Sequence, residues 1–200
     1  MKDYNELVNT EFKPKGEIDI YNPNTSFNFF SRGVKDLLED NVEYDADRHT
    51  PSENRVSVSS LDVAAYVLEK IGKCTTMKLH KLLYYCQAWS LVWDEAPLYN
   101  DKIEAWANGP VIRRLFNYHK GLYEVCADDF SIGNSQLLSI VQKETIDKVL
   151  DFYGGKSAQW LINLTHSETP WINARKGLGP SERGCNEIKQ SDMAEYYSAL

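Results

Sequence analysis

One stretch of the chain, Thr76–Trp93, is apolar on nearly all sides when it is placed on a helix at 100° per residue. One stripe of this helix carries Leu79, Leu82, Leu83, Cys86, Trp89 and Trp93, and the other side carries Tyr84, Ala88, Leu91 and Val92. The remaining polar strips are narrow, with His80 and Gln87 on one and Lys78 and Lys81 on another. A helix that is apolar all round is usually buried. The pattern therefore predicts the central helix of a mainly helical domain.

The segments around this helix carry clear start and stop signals. Ser59 followed three residues later by Asp62 predicts a capping box, and Gly72 is placed to end the helix that follows. Alternating polar and apolar residues predict a strand at 102–107. Asn108 is then expected to cap a helix over 111–119, with Pro110 at an early helical position where its missing N–H has no effect.

Further elements are predicted towards the C-terminus. Residues 123–126 are expected to form a second short strand that pairs with the first, and residues 137–153 a helix ended by a pair of glycines. Ser157 is expected to cap the next helix and Ser191 the last. The fold class predicted for residues 56–200 is a mainly α single helical domain around a buried central helix, with a small β element. Residues 1–55 form an N-terminal extension.

The composition of residues 1–55 predicts an acidic arm. It contains one predicted short amphipathic helix, followed by an acidic linker with almost no aliphatic residues. The apolar residues of this helix are Phe27, Phe29, Phe30, Val34, Leu37 and Leu38. A helix carried on such an arm is either packed onto its own domain or reserved for a partner.

Charge and hydropathy narrow the functional classes. Of the net charge of −7, residues 1–55 contribute −5 (12 Asp/Glu and 7 Lys/Arg) and the rest −2. Because nucleic-acid binders depend on Lys and Arg to neutralise phosphates, a nucleic acid is not expected as the main partner. No apolar run reaches the roughly 18 residues that span a bilayer, so a cytoplasmic protein without membrane association is expected.

Motifs for chemistry are sparse. The cysteines at 74, 86, 126 and 185 form no CxxC pair, and the chain has no glycine-rich phosphate loop and no GxSxG or HExxH motif. No catalytic residue, metal or cofactor is therefore predicted. An enzyme that uses a cysteine and a histidine is the weaker alternative. His166 is interpreted as satisfying backbone groups at a helix break, and Trp106 and Trp171 as core residues.

Three ordered motifs resemble the Panacea domain, the SocA/GepA-like antitoxin and phage-associated family. They are KLLYYCQ at 81–87, EAWANGPV at 104–111 and LTHSETPWINAR at 164–175. The resemblance runs from about residue 61 to residue 200 and leaves the acidic arm outside. It implies a mainly helical fold with a small β element and a non-enzymatic role, in which the protein binds and neutralises a cognate protein toxin.

The partner-binding residues expected on this basis lie in two regions. The domain contributes a groove lined by His80 and Gln87 beside Trp106 and Pro110, and the arm contributes its apolar helix. The leading hypothesis is an antitoxin of a type II toxin–antitoxin system. The alternative is a proteolytic adaptor that delivers a partner to a protease, since one member of the family works in this way. The resemblance also implies a link to prophages, which encode other members of the family.

Overall fold

The structure, a computed structural model, describes residues 57–200. The apolar helix expected at Phe27, Phe29, Phe30, Val34, Leu37 and Leu38 lies outside the described residues. In order, the elements are α1 (Ser60–Ile71), β1 (Cys74–Thr75), α2 (Thr76–Trp93), β2 (Ile103–Trp106), β3 (Gly109–Ile112), α3 (Arg113–His119), β4 (Glu124–Val125), α4 (Ile140–Tyr153), α5 (Ala158–Ser167), α6 (Thr169–Ala174) and α7 (Gln190–Ser198). Two 3-10 turns, Ala127–Phe130 and Ser135–Leu137, precede α4. The described part of the chain is therefore mainly α, as the sequence predicts.

The apolar helix α2 is the centre of the fold, as expected. Every residue from 79 to 90 is buried, including Leu82 and Cys86, which are fully enclosed. The helices α1, α4, α5 and α7 and the strand β3 all pack against it. Because the neighbours surround α2, its polar residues are buried with the apolar ones and must find partners inside the protein.

Side chains at the helix starts fix where several helices begin. Ser59 and Asp62 form the predicted capping box of α1, and the other carboxylate oxygen of Asp62 accepts from the Asn134 N–H. The Thr75 hydroxyl accepts from the Lys78 N–H at the start of α2. Ser157 caps α5 in the same way, through the Trp160 N–H. For the last helix the prediction was wrong, since the capping position of α7 is Lys189 and Ser191 lies inside the helix.

The strand predicted at 102–107 is β2, which forms a hairpin with β3. Two sequence predictions about this region were wrong. Residues 109–112 form strand β3 and not the start of a helix, so Asn108 lies in the turn and α3 begins only at Arg113. The pairing runs from Ile103 opposite Ile112 to Trp106 opposite Gly109. The β-branched Val111 and Ile112 favour a strand. Pro110 is compatible with it because its nitrogen points away from β2, where no ladder bond is needed.

The second wrong prediction concerns β4. This strand pairs with β1, with Cys74 opposite Val125, and not with β2. The free edge of β2 is instead taken by the segment before α7, where the Ala105 N–H donates to the Asn186 carbonyl and the Ile188 N–H to the Ile103 carbonyl, both at 2.8 Å. The hairpin is thereby held between α2 and the C-terminal segment.

Candidate functional site

The outer edge of β3 is closed by two side chains of α2. Lys81 Nζ donates to the Pro110 carbonyl at 3.0 Å. The Ile112 N–H donates to His80 Nδ1 at 3.2 Å. In an antiparallel hairpin the backbone groups of alternate residues point outward, and an uncovered edge is free to pair with another chain. Lys81 and His80 thus do for β3 what a neighbouring strand would do.

The other edge and the turn of the hairpin are held by α6 and the residue that ends it. Arg175, which is buried, donates through Nη1 to the Ala105 carbonyl at 3.0 Å, and its Nη2 donates to carbonyls of the loop after α6. Trp171 Nε1 donates to the Trp106 carbonyl at 3.0 Å. Lys81, Trp171 and Arg175 therefore bind three carbonyl oxygens of one hairpin. The three sequence motifs meet at this point, since one contains the hairpin and the other two supply these side chains.

Gly109 allows the close contact between the turn and α2. Its φ of +97° lies in the region that favours glycine. A Cβ at this position would lie 2.5 Å from Lys81 Cε and 3.0 Å from the Thr165 hydroxyl oxygen. No larger residue fits between the hairpin and the helix without moving Lys81.

The hairpin presents an aromatic and ionic group of side chains that is partly open to solvent. The Arg113 guanidinium makes two hydrogen bonds with the Glu104 carboxylate and lies 4.8 Å from the centre of the Trp106 ring. Trp106 Nε1 also donates to Glu104, and the Trp106 ring packs edge-on against Phe116. The guanidinium holds the pKa of the Glu104 carboxyl below its usual value, against the opposing effect of partial burial. We call these four residues the hairpin face. Tryptophan and arginine in a rigid setting are the residue types enriched at the energetic centres of protein interfaces.

His80 is part of a buried histidine pair behind β3. Its Nε2 lies 2.8 Å from Nε2 of His119, the last residue of α3. Because His80 Nδ1 accepts from the Ile112 N–H, the neutral ring carries its proton on Nε2 and donates to His119. Burial lowers the pKa of both histidines, and for His80 the neighbouring Lys81 lowers it further. The pair is therefore built for two neutral rings.

Lys81 is the least expected member of the site. Its side chain is fully buried, and within residues 57–200 no carboxylate forms an ion pair with it. Besides Pro110, the only hydrogen-bond partner of Nζ among the described residues is the sulfur of Met77 at 3.8 Å. Burial lowers the pKa of this amine to about 7. Burial therefore favours the neutral amine, and Lys81 changes its charge much closer to neutral pH than an ordinary lysine does.

His166 lies near this lysine. Its interpretation from the sequence, as a side chain that satisfies backbone groups at a helix break, was wrong. Its ring stacks on Trp171 at 4.1 Å, and within residues 57–200 the buried Nε2 has no hydrogen-bond partner, so it does not satisfy a backbone group there as the sequence interpretation holds. Burial, Lys81 and Arg175 lower its pKa. Together, His80, Lys81, His119, His166 and Arg175 form what we call the basic cluster.

Gln87 binds a different segment of the chain and does not contact the hairpin through hydrogen bonds. Its Oε1 accepts from the N–H groups of Leu98 and Tyr99, and its Nε2 donates to the Tyr99 carbonyl. Like His80, it is buried and has its hydrogen bonds inside the domain. A role of either side chain in partner binding remains a prediction, and it would act through the segments that they hold. Of the other predicted residues, Pro110 is buried and Trp106 is half-buried on the hairpin face.

A second buried group lies one turn further along α2. The Glu168 carboxylate accepts from the hydroxyls of Tyr85 and Tyr197, the latter at 2.6 Å, and Tyr197 lies 3.3 Å from the Tyr84 hydroxyl. Burial raises the pKa of Glu168 to about 8, although both tyrosines oppose the shift. We call these four residues the tyrosine–glutamate cluster. It joins α2, the start of α6 and the C-terminal helix α7.

The cysteines offer little for catalysis. Cys74 and Cys86 are buried, and burial raises the pKa of the Cys74 thiol to about 11. Cys126 bonds to Asp129 in its own turn, and the buried histidines bond to each other. Within residues 57–200, no group of three or more potential ligands is arranged to hold a metal ion. In the same range, no helix has the length and apolar character needed to cross a membrane.

Sequence reasoning missed Lys81, Trp171 and Arg175 as parts of one site. Lys81 was noticed only as polar, and Trp171 was assigned to the core. The available signal was their place in two of the three motifs, since the remaining motif contains the hairpin that they bind.

The family model described as antitoxin SocA-like, Panacea domain matches residues 79–172. A domain of this family is therefore present, and the resemblance drawn from the motifs is confirmed over this range. The match includes the hairpin, α3 and most of the residues that hold the hairpin, and it ends just before Arg175. No curated protein and no solved structure matches the chain.

Proposed function

We propose that this protein is the antitoxin of a type II toxin–antitoxin system, and that it binds and neutralises a cognate protein toxin in the cytoplasm. The observation that carries the proposal is the antitoxin-like domain at residues 79–172. A stoichiometric inhibitor needs a surface for a protein partner and no catalytic group, and the hairpin face supplies such a surface.

The hairpin face has three properties that suit a protein partner. Trp106, Arg113 and Phe116 are half-buried, so they offer area without being free to move. Glu104 pairs with Arg113, which leaves the face without the excess positive charge that a nucleic acid requires. Asn108 at the turn is exposed and adds a polar group at the rim.

The acidic arm is the second proposed binding element. An apolar helix of this length is marginal in water unless it folds against a surface. Its aromatic residues are suited to anchor it in a groove on the toxin, and the acidic residues that follow suit a basic toxin surface. Residues 56–200 are proposed as the folded domain to which this arm is attached.

Co-expression tests the function directly. The protein encoded beside this chain is expected to stop growth alone, to be harmless with the full chain, and to co-purify with it. Growth arrest that persists with the full chain present, or a neighbouring protein that is not toxic, would refute the antitoxin assignment. Rescue that disappears in cells lacking a protease would favour the adaptor alternative.

Variants of the hairpin face and of the arm separate the two proposed surfaces. Trp106→Ala is expected to weaken rescue, whereas Trp160→Ala is the matched control, since Trp160 is a half-buried tryptophan on α5 that packs with Lys156. Deletion of residues 1–55, or Phe29→Ala combined with Phe30→Ala, tests the arm. Loss of two aromatic anchors is expected to weaken binding by a factor of about a thousand. Full rescue by the truncated chain would assign binding to the domain alone.

A further inference from the structure

Among the described residues, the β3 edge of the hairpin is bonded only by side chains that can change their charge. On the β2 side, Arg175 and the backbone of Asn186 and Ile188 hold the edge, and none of these groups loses its bond over the ordinary pH range. On the β3 side the two bonds described above come from Lys81 and His80. The attachment of β3 to α2 therefore depends on the protonation state of two residues.

Both of these side chains are sealed from water. Lys81 is 0% exposed and His80 is 3% exposed. The ionisable groups that influence them are all basic: His119 lies against His80 from α3, Lys81 itself lowers the pKa of His80, and His166 on α5 interacts with Lys81. A proton taken up here brings a positive charge into a buried site in which, among residues 57–200, no carboxylate pairs with Lys81. Such a charge is stabilised only if the site opens to water.

A proton also affects the bonds themselves. His80 accepts the Ile112 N–H through Nδ1, so protonation of Nδ1 replaces the acceptor by a second donor. Lys81 still donates to Pro110 when it is charged, but it then has three N–H donors, and the contacts described offer one carbonyl and a weak sulfur acceptor. Both changes favour separation of β3 from α2.

We propose that His80 and Lys81 are the positioning residues of the hairpin, and that uptake of a proton by either one releases β3 from α2. Released, the hairpin no longer holds Trp106 and Arg113 in place, so partner binding weakens as the pH falls. This consequence for binding rests on the proposed function. The release itself is a property of the protein alone and is measured without a partner.

The direction of the pH dependence follows from linkage. Lys81 has a pKa of about 7 in the closed site, against 10.5 for an ordinary lysine. The closed state therefore binds fewer protons than the open state between about pH 7 and 10, and opening becomes up to about tenfold more favourable for each pH unit that the pH falls in this range. Below pH 7 this contribution stays constant. His80, with a pKa well below 6.5 in the closed site, adds a second increase as the pH falls below 6.5.

Hydrogen exchange of the Ile112 amide, followed by NMR in the full chain, tests the proposal. The protection factor, which corrects for the intrinsic exchange rate, is expected to fall up to about tenfold per pH unit between pH 9 and 7, and again below pH 6.5. The amide of Leu83, in the buried part of α2, is the internal reference and should keep its protection. A protection factor of Ile112 that does not change with pH overturns the proposal. So does a parallel loss at Leu83, because the opening is then global unfolding.

Variants assign the two phases. Lys81→Met removes the charge and keeps the length, and it is expected to abolish the phase between pH 9 and 7. Lys78→Met is the matched control, since Lys78 also lies on α2 and donates to a carbonyl, that of Gly154. His80→Asn keeps an acceptor near Nδ1 without a titratable ring and is expected to reduce the acid phase, to which His119 also contributes because burial lowers its pKa as well. If Lys81→Met fails to fold, the wild-type profile and His80→Asn still decide the outcome. An alkaline phase that persists in folded Lys81→Met, or an acid phase that is unchanged in His80→Asn, overturns the assignment.

Discussion

The basic cluster and the tyrosine–glutamate cluster face the same physical problem and solve it in opposite ways. Each cluster contains a buried ionisable side chain, Lys81 on α2 in one and Glu168 against α2 in the other. The α2 residues of the two clusters lie about one turn apart. Burial favours the neutral form in both cases, which is the deprotonated amine for Lys81 and the protonated carboxyl for Glu168. The difference is one of location as well as sign. Lys81 holds the hairpin that carries the proposed binding surface, whereas Glu168 joins helices within the core.

The comparison shows where the fold tolerates a change of charge. Ionised Glu168 keeps two hydroxyl donors, from Tyr85 and Tyr197, so its charged form is partly satisfied where it stands. Charged Lys81 has one carbonyl acceptor and basic neighbours. We therefore expect ionisation to strain the tyrosine–glutamate cluster without opening it, and to open the basic cluster.

The largest effect is expected from a cavity in α2, the helix that carries residues of both clusters. Leu82 lies on α2, between Lys81 and Tyr84 in the sequence, and is fully buried. Leu82→Ala should lower the free energy of unfolding by about 2 to 5 kcal/mol, because a cavity remains where the side chain was. Chemical denaturation measures this loss, and Ile132→Ala at an exposed site is the control. A loss below about 1 kcal/mol would show that α2 is not the buried centre of the fold.

The next effect sharpens the contrast in sign. The pKa of Glu168 is raised on folding, so its contribution to stability is complete below about pH 4.5 and is lost as the pH rises towards 8. The pKa of Lys81 is lowered, so stability increases as the pH rises from 7. Relative to wild type, Glu168→Gln should therefore gain stability between pH 5 and 8, and Lys81→Met should lose it between pH 7 and 9. Each slope is at most about 1.4 kcal/mol per pH unit.

Denaturant titrations at several pH values provide this measurement. Slopes of the same sign for the two variants would contradict the comparison. A flat difference for Glu168→Gln alone would mean that the tyrosine hydroxyls keep the carboxylate ionised in the folded protein.

The smallest effects compare single hydrogen-bonding groups in the two regions. Tyr197→Phe removes a buried donor to Glu168 and should lower the free energy of unfolding by about 1 to 2 kcal/mol, with little dependence on salt. Glu104→Gln breaks the partly exposed pair with Arg113 and should change it by no more than about 1 kcal/mol, less at high salt. A larger effect of Glu104→Gln than of Tyr197→Phe would place the hairpin face in the structural core.

The sequence predicted the central helix α2 better than it predicted the hairpin. The helix α2 and most of its neighbours were predictable, because a continuous apolar pattern and capping residues such as Ser59 act locally. The segment from Asn108 to Ile112 was not, since an asparagine, a glycine and a proline suit a helix start and a hairpin equally well by local rules. The choice is made by Lys81, His80 and Arg175, which bind the hairpin from distant parts of the chain.

The candidate site was predictable in its parts but not in its geometry. His80 and Gln87 stood out as polar residues on an apolar helix, but whether such residues line a groove or lie in the interior depends on segments that fold over them later. Glu168 carried no local signal of its role, because its partner Tyr197 lies on the last helix. Pairing over such distances is a property of the tertiary fold.

Binding of the partner protein by the hairpin face is the central proposal. The affinity of the co-purified partner protein for wild type, Trp106→Ala and Trp160→Ala, measured by calorimetry at pH 8, tests it directly. We predict a dissociation constant at least about thirtyfold higher for Trp106→Ala, as for a tryptophan at an interface centre, and no change for Trp160→Ala. Equal affinities for all three folded proteins would contradict the account and move the binding surface away from the hairpin.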